Sequence, residues 1–294
     1  MKRKLIIATL ALVTLAGLSA VATFILKDPA EPVYQGKPLS FWLRGQFDRK
    51  WLVAQEQKSL RDKTAPRIRL EFEHMIGGQP GSAHAALNES GTNAIPTLLR
   101  LLQAKDSARH LKLVSIGERL PLVHYSHWRA ESRNQAGRFG FKLLGEEASN
   151  AVPELAKILD RNISADSARA TAESLQFIGP AAAEAVPALL RQLSNTNEFV
   201  REAVAWALCH IHVNPELVVP ALVKELDHPY VQTPSPICRA LASWGSAAAP
   251  AVPKLVDKLS SANAEERSIA KYALMAIDPA ALEQARKEGK VRPR

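Results

Sequence analysis

The chain is 294 residues long, 47% hydrophobic and 23% charged, a balance that excludes a disordered polymer and allows one or two folded domains. Aromatic residues are only 6% while alanine and leucine are abundant, which favours an all-α fold over a β-sandwich. The net charge is +9, and two cysteines are too few for a disulfide framework or a four-thiolate metal site.

Met1-Lys2-Arg3-Lys4 is followed by an uncharged run from Leu5 to Leu26. At the helical rise these residues span roughly 33 Å, enough for one membrane crossing. The cations ahead of the run place the N-terminus in the cytoplasm and the rest of the chain outside. The rival is a cleavable signal peptide, because Ala20-Val21-Ala22 matches the small-residue cleavage pattern. The run continues past that site through Thr23-Phe24-Ile25-Leu26, which favours an uncleaved anchor over 1–27. Either way the folded part is exported.

Residues 28–78 read as a linker and N-terminal capping helices. Here Ser40 is expected to cap a short helix whose Phe41, Trp42 and Leu43 cover an exposed end of the fold. Beyond it the chain repeats itself. Pro96, Pro153, Pro187, Pro220 and Pro253 stand 57, 34, 33 and 33 residues apart. Leucine follows each proline at two residues (Leu98, Leu155, Leu189, Leu222, Leu255) and at six (Leu102, Leu159, Leu193, Leu226, Leu259). These positions fall on one face of a helix. Proline suits the first helical position, where its missing N–H would have no partner, so each proline is expected to start a helix. The Ile or Val before it packs back across the first turn.

A helix is also expected before each of these. Ala-Leu recurs at Ala86-Leu87, Ala207-Leu208, Ala240-Leu241 and Ala273-Leu274, with Gly140-Phe141 and Ser174-Leu175 in the equivalent slots. The small residue lets neighbouring helices approach closely. Four residues on come Gly91, Gly145, Gly179 and Gly245, read as helix ends in the left-handed conformation. His212 and Asp278 replace glycine in two repeats, so those turns are expected to be less regular. A regular period of this size denotes stacked repeats.

The paired-helix unit, with X-A-[IV]-P-x-L-x-x-x-L in its second helix, resembles the HEAT-repeat family, especially the short bacterial type found in phycobilin-lyase-like repeats. The resemblance covers roughly residues 79–278. It implies a right-handed α-solenoid of stacked antiparallel helix pairs whose second helices line the concave surface. The lead-in from Tyr34 to Leu43 is similar to a segment ahead of the repeats in membrane-anchored bacterial HEAT proteins. The repeats are assigned to 79–283, with an insertion near 106–132, and 284–294 to a basic tail.

The insertion carries His124, Tyr125, His127 and Trp128, followed by Arg129 and Arg133. Three readings stand: an HxxH metal site lacking a third ligand, a partner-binding loop using Tyr125, Trp128 and Arg129, and an extended helical hairpin packing its own aromatics. A second candidate surface lies four residues after each proline, at Arg100, Lys157, Arg191 and Lys224, then Asp257. Opposite the leucine face, stacking would align the four cations as a ladder or leave them as a solvated face. Cys209 and Cys238 fall in neighbouring repeats, as two small core residues or as one disulfide.

No G-x-S-x-G elbow, phosphate-binding loop or H-E-x-x-H helix occurs. Deoxyhypusine hydroxylases, which are HEAT-repeat enzymes, use iron-binding His-Glu dyads, whereas the one adjacent pair here, Glu73-His74, is reversed. His210 and His212 are two residues apart, on opposite sides of a helix, so a joint ligand role is not expected. No catalytic residue, metal or cofactor is therefore expected. The expected function is a membrane-anchored, exported, non-enzymatic scaffold for protein or peptide. Alternatives are an auxiliary enzyme or lyase-like subunit, and anionic-ligand or nucleic-acid binding through a basic groove. Export argues against nucleic acid.

Overall fold

The computed structural model describes residues 31–47, 82–108, 111–112, 128–226 and 235–291. The anchor expected over 1–27 lies outside them, and among the described residues no helix is long and apolar enough to cross a membrane. The described chain is mostly helical, with one small antiparallel ladder between β1 (Val33–Tyr34) and β2 (Lys37–Pro38). Gln35 and Gly36 turn it, both at positive φ, as a two-residue hairpin loop requires.

Helix α1 (Leu39–Phe47) follows directly. Ser40 is inside this helix, so it is not the cap anticipated from the sequence. A carboxylate from upstream takes that place: Glu31 Oε2 accepts the Ser40 N–H at 2.8 Å, as acidic groups do at helix starts. Trp42 and Leu43 are buried, and the Trp42 indole donates to the Tyr34 carbonyl at 3.0 Å. This helix packs on α2 (Ala83–Ser90) and α4 (Ala130–Leu144).

The remaining helices come in pairs: α2 with α3 (Ile95–Leu102), α4 with α5 (Val152–Arg161), α6 (Ala165–Ile178) with α7 (Val186–Gln192), α8 (Glu198–Ile211) with α9 (Pro215–Glu225), α10 (Ser235–Ser243) with α11 (Val252–Lys258), and α12 (Ala264–Ile277) with α13 (Pro279–Lys287). First helices pack on the next first helix, α2 on α4, α4 on α6, α6 on α8, α8 on α10 and α10 on α12. Each second helix from α3 to α11 packs on the first helix of the following pair. Both leucine columns are buried in every repeat, including Leu193 and Leu226 at 2% exposure, and all five prolines are at the surface. The Ala-Leu column is buried throughout. At Gly140 a Cβ would come within 2.3 Å of Leu98 Cδ2, and at Gly137 within 2.9 Å of the Leu98 carbonyl oxygen. The expected close approach is therefore found between α3 and α4.

The connection is alike in the four pairs whose first helix ends at glycine and differs at His212 and Asp278, where the sequence predicted less regular turns. Gly145–Ala151, Gly179–Ala185 and Gly245–Ala251 form 3-10 turns, with a shorter one over Gly91–Ala94. Three residues per turn places alanines three apart on one side, and Ala148 with Ala151, Ala182 with Ala185 and Ala248 with Ala251 are all buried. Gly145 at φ 52, ψ −132 and Gly179 at φ 71, ψ −143 have positive φ but extended ψ. This is a region open essentially to glycine alone, not the left-handed helical well that was expected. His212 does occupy that well, at φ 52, ψ 44. The chain therefore leaves α8 in another direction, and α9 begins at Pro215 after Asn214, itself left-handed. Pro220 consequently sits inside α9 rather than at its start, a correction to the rule that holds for Pro96, Pro153, Pro187 and Pro253.

Polar side chains tie the stack at the carbonyl ends of the second helices. Asn134 Nδ2 reaches the carbonyls of Leu101 and Leu102 at 3.0 and 2.8 Å, and Gln192 Nε2 that of Leu159 at 2.9 Å. Arg201 and Arg267 donate to the carbonyls of Asn195 and Ser261 at 2.6 and 2.8 Å. Buried helix ends need such partners. At the C-terminus, Asp278 caps α13 by accepting from Ala281 N at 3.0 Å. With Leu282 and Ala285 buried, that helix extends through Lys287, into the segment 284–294 that sequence alone set apart as a tail.

Two stability experiments follow from this packing. Leu193→Ala is expected to cost about 2 to 5 kcal/mol in urea unfolding, and Arg191→Ala less than about 1 kcal/mol; equal costs would contradict the register. Gly137→Ala is expected to lower the urea midpoint through a backbone clash worth about 1 to 3 kcal/mol, against the roughly 1 kcal/mol that alanine gains in helix propensity. A raised midpoint would mean that α3 and α4 are not in close contact.

Candidate binding cleft on α4, α6 and α8

With their small-large face buried in the stack, α6 and α8 each leave a second stripe uncovered. On α6 it runs Arg169, Glu173, Gln176 and Phe177; on α8 it runs Phe199, Glu202, Ala203, Trp206 and His210. Spacings of three, four and seven put each set on one side of its helix. Together with Arg138 of α4 they enclose an open cleft of about 490 Å³. A smaller hollow of about 210 Å³ shares Arg169 and Phe199 and extends toward Asp166 and Asn197 at the start of the two helices.

The walls are partly organised by their own contacts. Arg138 Nη1 donates to Glu173 Oε2 at 2.6 Å, joining α4 to α6. His210 Nδ1 donates to the Trp206 carbonyl at 2.8 Å, which leaves Nε2 as the free ring nitrogen. Lys142 Nζ is 5.9 Å from the centre of the Phe177 ring. Arg169 and Glu202, on facing helices, have no side-chain hydrogen bond or ion pair among the described residues. Phe199 is 56% exposed, a large apolar ring outside the core. Ala203, buried between Phe199 and Trp206 along α8, leaves room above it.

The cations anticipated as a ladder are on second helices, on a different face. Arg100 is held by Glu31. Lys157 binds Glu154 at 2.6 Å, and Arg191 makes a two-pronged contact to Asp160 at 3.0 and 2.9 Å. Lys224 is exposed. Three of the four positions thus already carry a carboxylate. The Lys157 contact lowers the Glu154 carboxyl below its usual range through the hydrogen bond.

In the insertion, Tyr125, His124 and His127 lie outside the described residues. Trp128 is half-buried against the core, with the Arg44 guanidinium 6.0 Å from its ring centre. Arg129 is exposed at the start of α4. Arg133 is engaged locally: Asp106 Oδ1 accepts from it at 3.0 Å and Oδ2 accepts the Ala130 N–H at 2.9 Å. Among the described residues no group of three His, Cys, Asp or Glu is gathered as a metal site. His212 stacks on Trp244 at 4.1 Å.

Both cysteines are free thiols. Cys209, half-buried, donates to Ser243 Oγ at 3.1 Å. Cys238 is fully buried on α10, and burial raises its pKa from 9.0 to about 12.

No family model and no curated protein matches the chain. The cleft went unnoticed in the sequence because its residues occupy the flank of helices read only for their stacking face. The available signal was the recurrence of Phe199, Trp206 and His210 at helical spacing away from Ala207-Leu208.

Cys238 stays protonated in the folded chain where an unfolded thiol ionises, so folding stability is complete below about pH 9 and declines as pH rises toward 12. By pH 10 the loss from this group is expected to be on the order of 1 kcal/mol. It is measured as the difference in pH dependence of urea unfolding between the chain and Cys238→Ala. Identical slopes would contradict the burial of the thiol.

Proposed function

We propose that this protein is a non-enzymatic scaffold for a protein or peptide partner, built as a right-handed α-solenoid of antiparallel, HEAT-like helix pairs. In this reading residues 1–27 anchor it in a membrane and the repeats stand on the extracytoplasmic side. The fold class itself is all-α; serial packing of first helix on first helix supports the solenoid, and such folds work through extended surfaces.

One observation carries the choice of binding over other roles: an exposed Phe199 and a half-buried Trp206 border a cleft with Arg169 and Glu202, which pair with nothing among the described residues. Aromatic residues and arginine are the side chains that dominate protein interfaces. Binding of an anionic ligand along the second-helix cations is the weaker reading, since it would compete with Glu31, Glu154 and Asp160.

The test uses the full chain in native membranes with a photo-crosslinking residue at Glu202 or at Lys224. A discrete protein adduct from the Glu202 position is the expected result. An adduct from Lys224 alone keeps the scaffold and moves its contact to the second-helix face. No protein adduct from either position overturns the scaffold.

A further inference from the structure

The cleft has features that select one kind of occupant, on the premise that the protein is a binding scaffold. From Phe199 to His210 the α8 wall advances eleven residues, or roughly 16 Å at the helical rise. An extended peptide covers that length in about five residues. Apolar contact is concentrated where Ala203 forms a floor between Phe199 and Trp206. Opposite charges stand on its two walls, Arg169 on α6 and Glu202 on α8. Arg169 borders both the main cleft and the smaller hollow, so its guanidinium marks the end nearest the helix starts. Asp166 also borders that hollow and offsets part of the positive charge. Glu202 holds on α8 the place that Arg169 holds on α6, thirty-three residues earlier, while Arg138 Nη1 is engaged by Glu173 and Arg138 Nε is buried with no hydrogen-bond partner among the described residues.

We propose that the cleft binds an extended peptide of about five residues, with an aromatic or branched apolar side chain seated on Ala203 and an acidic side chain paired with Arg169. Glu202 accepts N–H groups from the peptide backbone, a charge-assisted contact that needs no particular side chain. Gln176, which lines the cleft from α6, offers both a donor and an acceptor. A peptide that is purely basic meets Arg169 unpaired, and one that is purely acidic places a second carboxylate at Glu202. The cleft therefore favours a single acid beside an apolar residue.

The probe is a displayed library of random peptides, selected on the full chain held in lipid nanodiscs. Enriched sequences are expected to pair an aromatic or branched residue with Asp or Glu within about five positions. A synthetic peptide from that set is expected to bind Phe199→Ala at least about tenfold more weakly. Arg169→Gln is expected to lose the preference for the acid while retaining that for the apolar residue, and Lys224→Gln to change neither. Because Phe199 is more than half exposed, its replacement leaves the helical stack in place, which circular dichroism checks. Selection of no peptide, selection of peptides without the pair, or binding indifferent to Phe199→Ala overturns the proposal. A membrane adduct at Lys224 alongside any of those results would leave the scaffold reading standing and remove only this specificity.

Discussion

Everything in the described stack depends on how closely one first helix can approach the helices around it. A small residue followed by a large one, Ala207-Leu208 on α8 or Ser174-Leu175 on α6, buries a side chain without holding the backbones apart. The limit is reached where Gly137 and Gly140 of α4 press against Leu98, leaving no space for a methyl group. Dense packing of this kind is intolerant of added volume, so the leucine columns of the second helices can be complete only while the small column stays small.

The turn between helices propagates that spacing. A glycine at positive φ and extended ψ sends the chain into a 3-10 segment whose alanines, three apart, slide under the next helix. The segment ends at the Ile or Val before proline. His212 shows what happens without glycine. A residue with a Cβ reaches positive φ only in the left-handed helical well, so α9 starts from Pro215 and absorbs Pro220 at its exposed side. The same residue stacks on Trp244, so its ring joins α8 to the pair that follows.

Charge is arranged on a different principle. Arg191 and Asp160 are thirty-one residues apart in the chain yet adjacent on successive second helices, and Glu31 reaches Arg100 from ahead of all the repeats. These pairs turn an expected row of cations into a compensated surface whose energetic weight is small. On α6 and α8, by contrast, Arg169 and Glu202 face a shared cleft without engaging each other, and the aromatic rings beside them are not needed by the core.

Local pattern was sufficient to determine the helices, their pairing in the chain, the buried leucine and Ala-Leu columns and four of the five proline starts, because each rests on periodicity within one helix or one turn. The glycine positions were legible too, since a chain leaving a helix at positive φ favours glycine whatever surrounds it. What the tertiary structure alone decided was everything set by contacts between separate elements. It paired Arg100 with Glu31 and Arg191 with Asp160, replaced Ser40 by Glu31 as the cap of α1 and carried α13 through Lys287. It also brought Arg169 and Phe177 of α6 opposite Glu202 and Trp206 of α8. A single helix records which face is apolar, but only the stacking of two helices determines which of the remaining side chains meet.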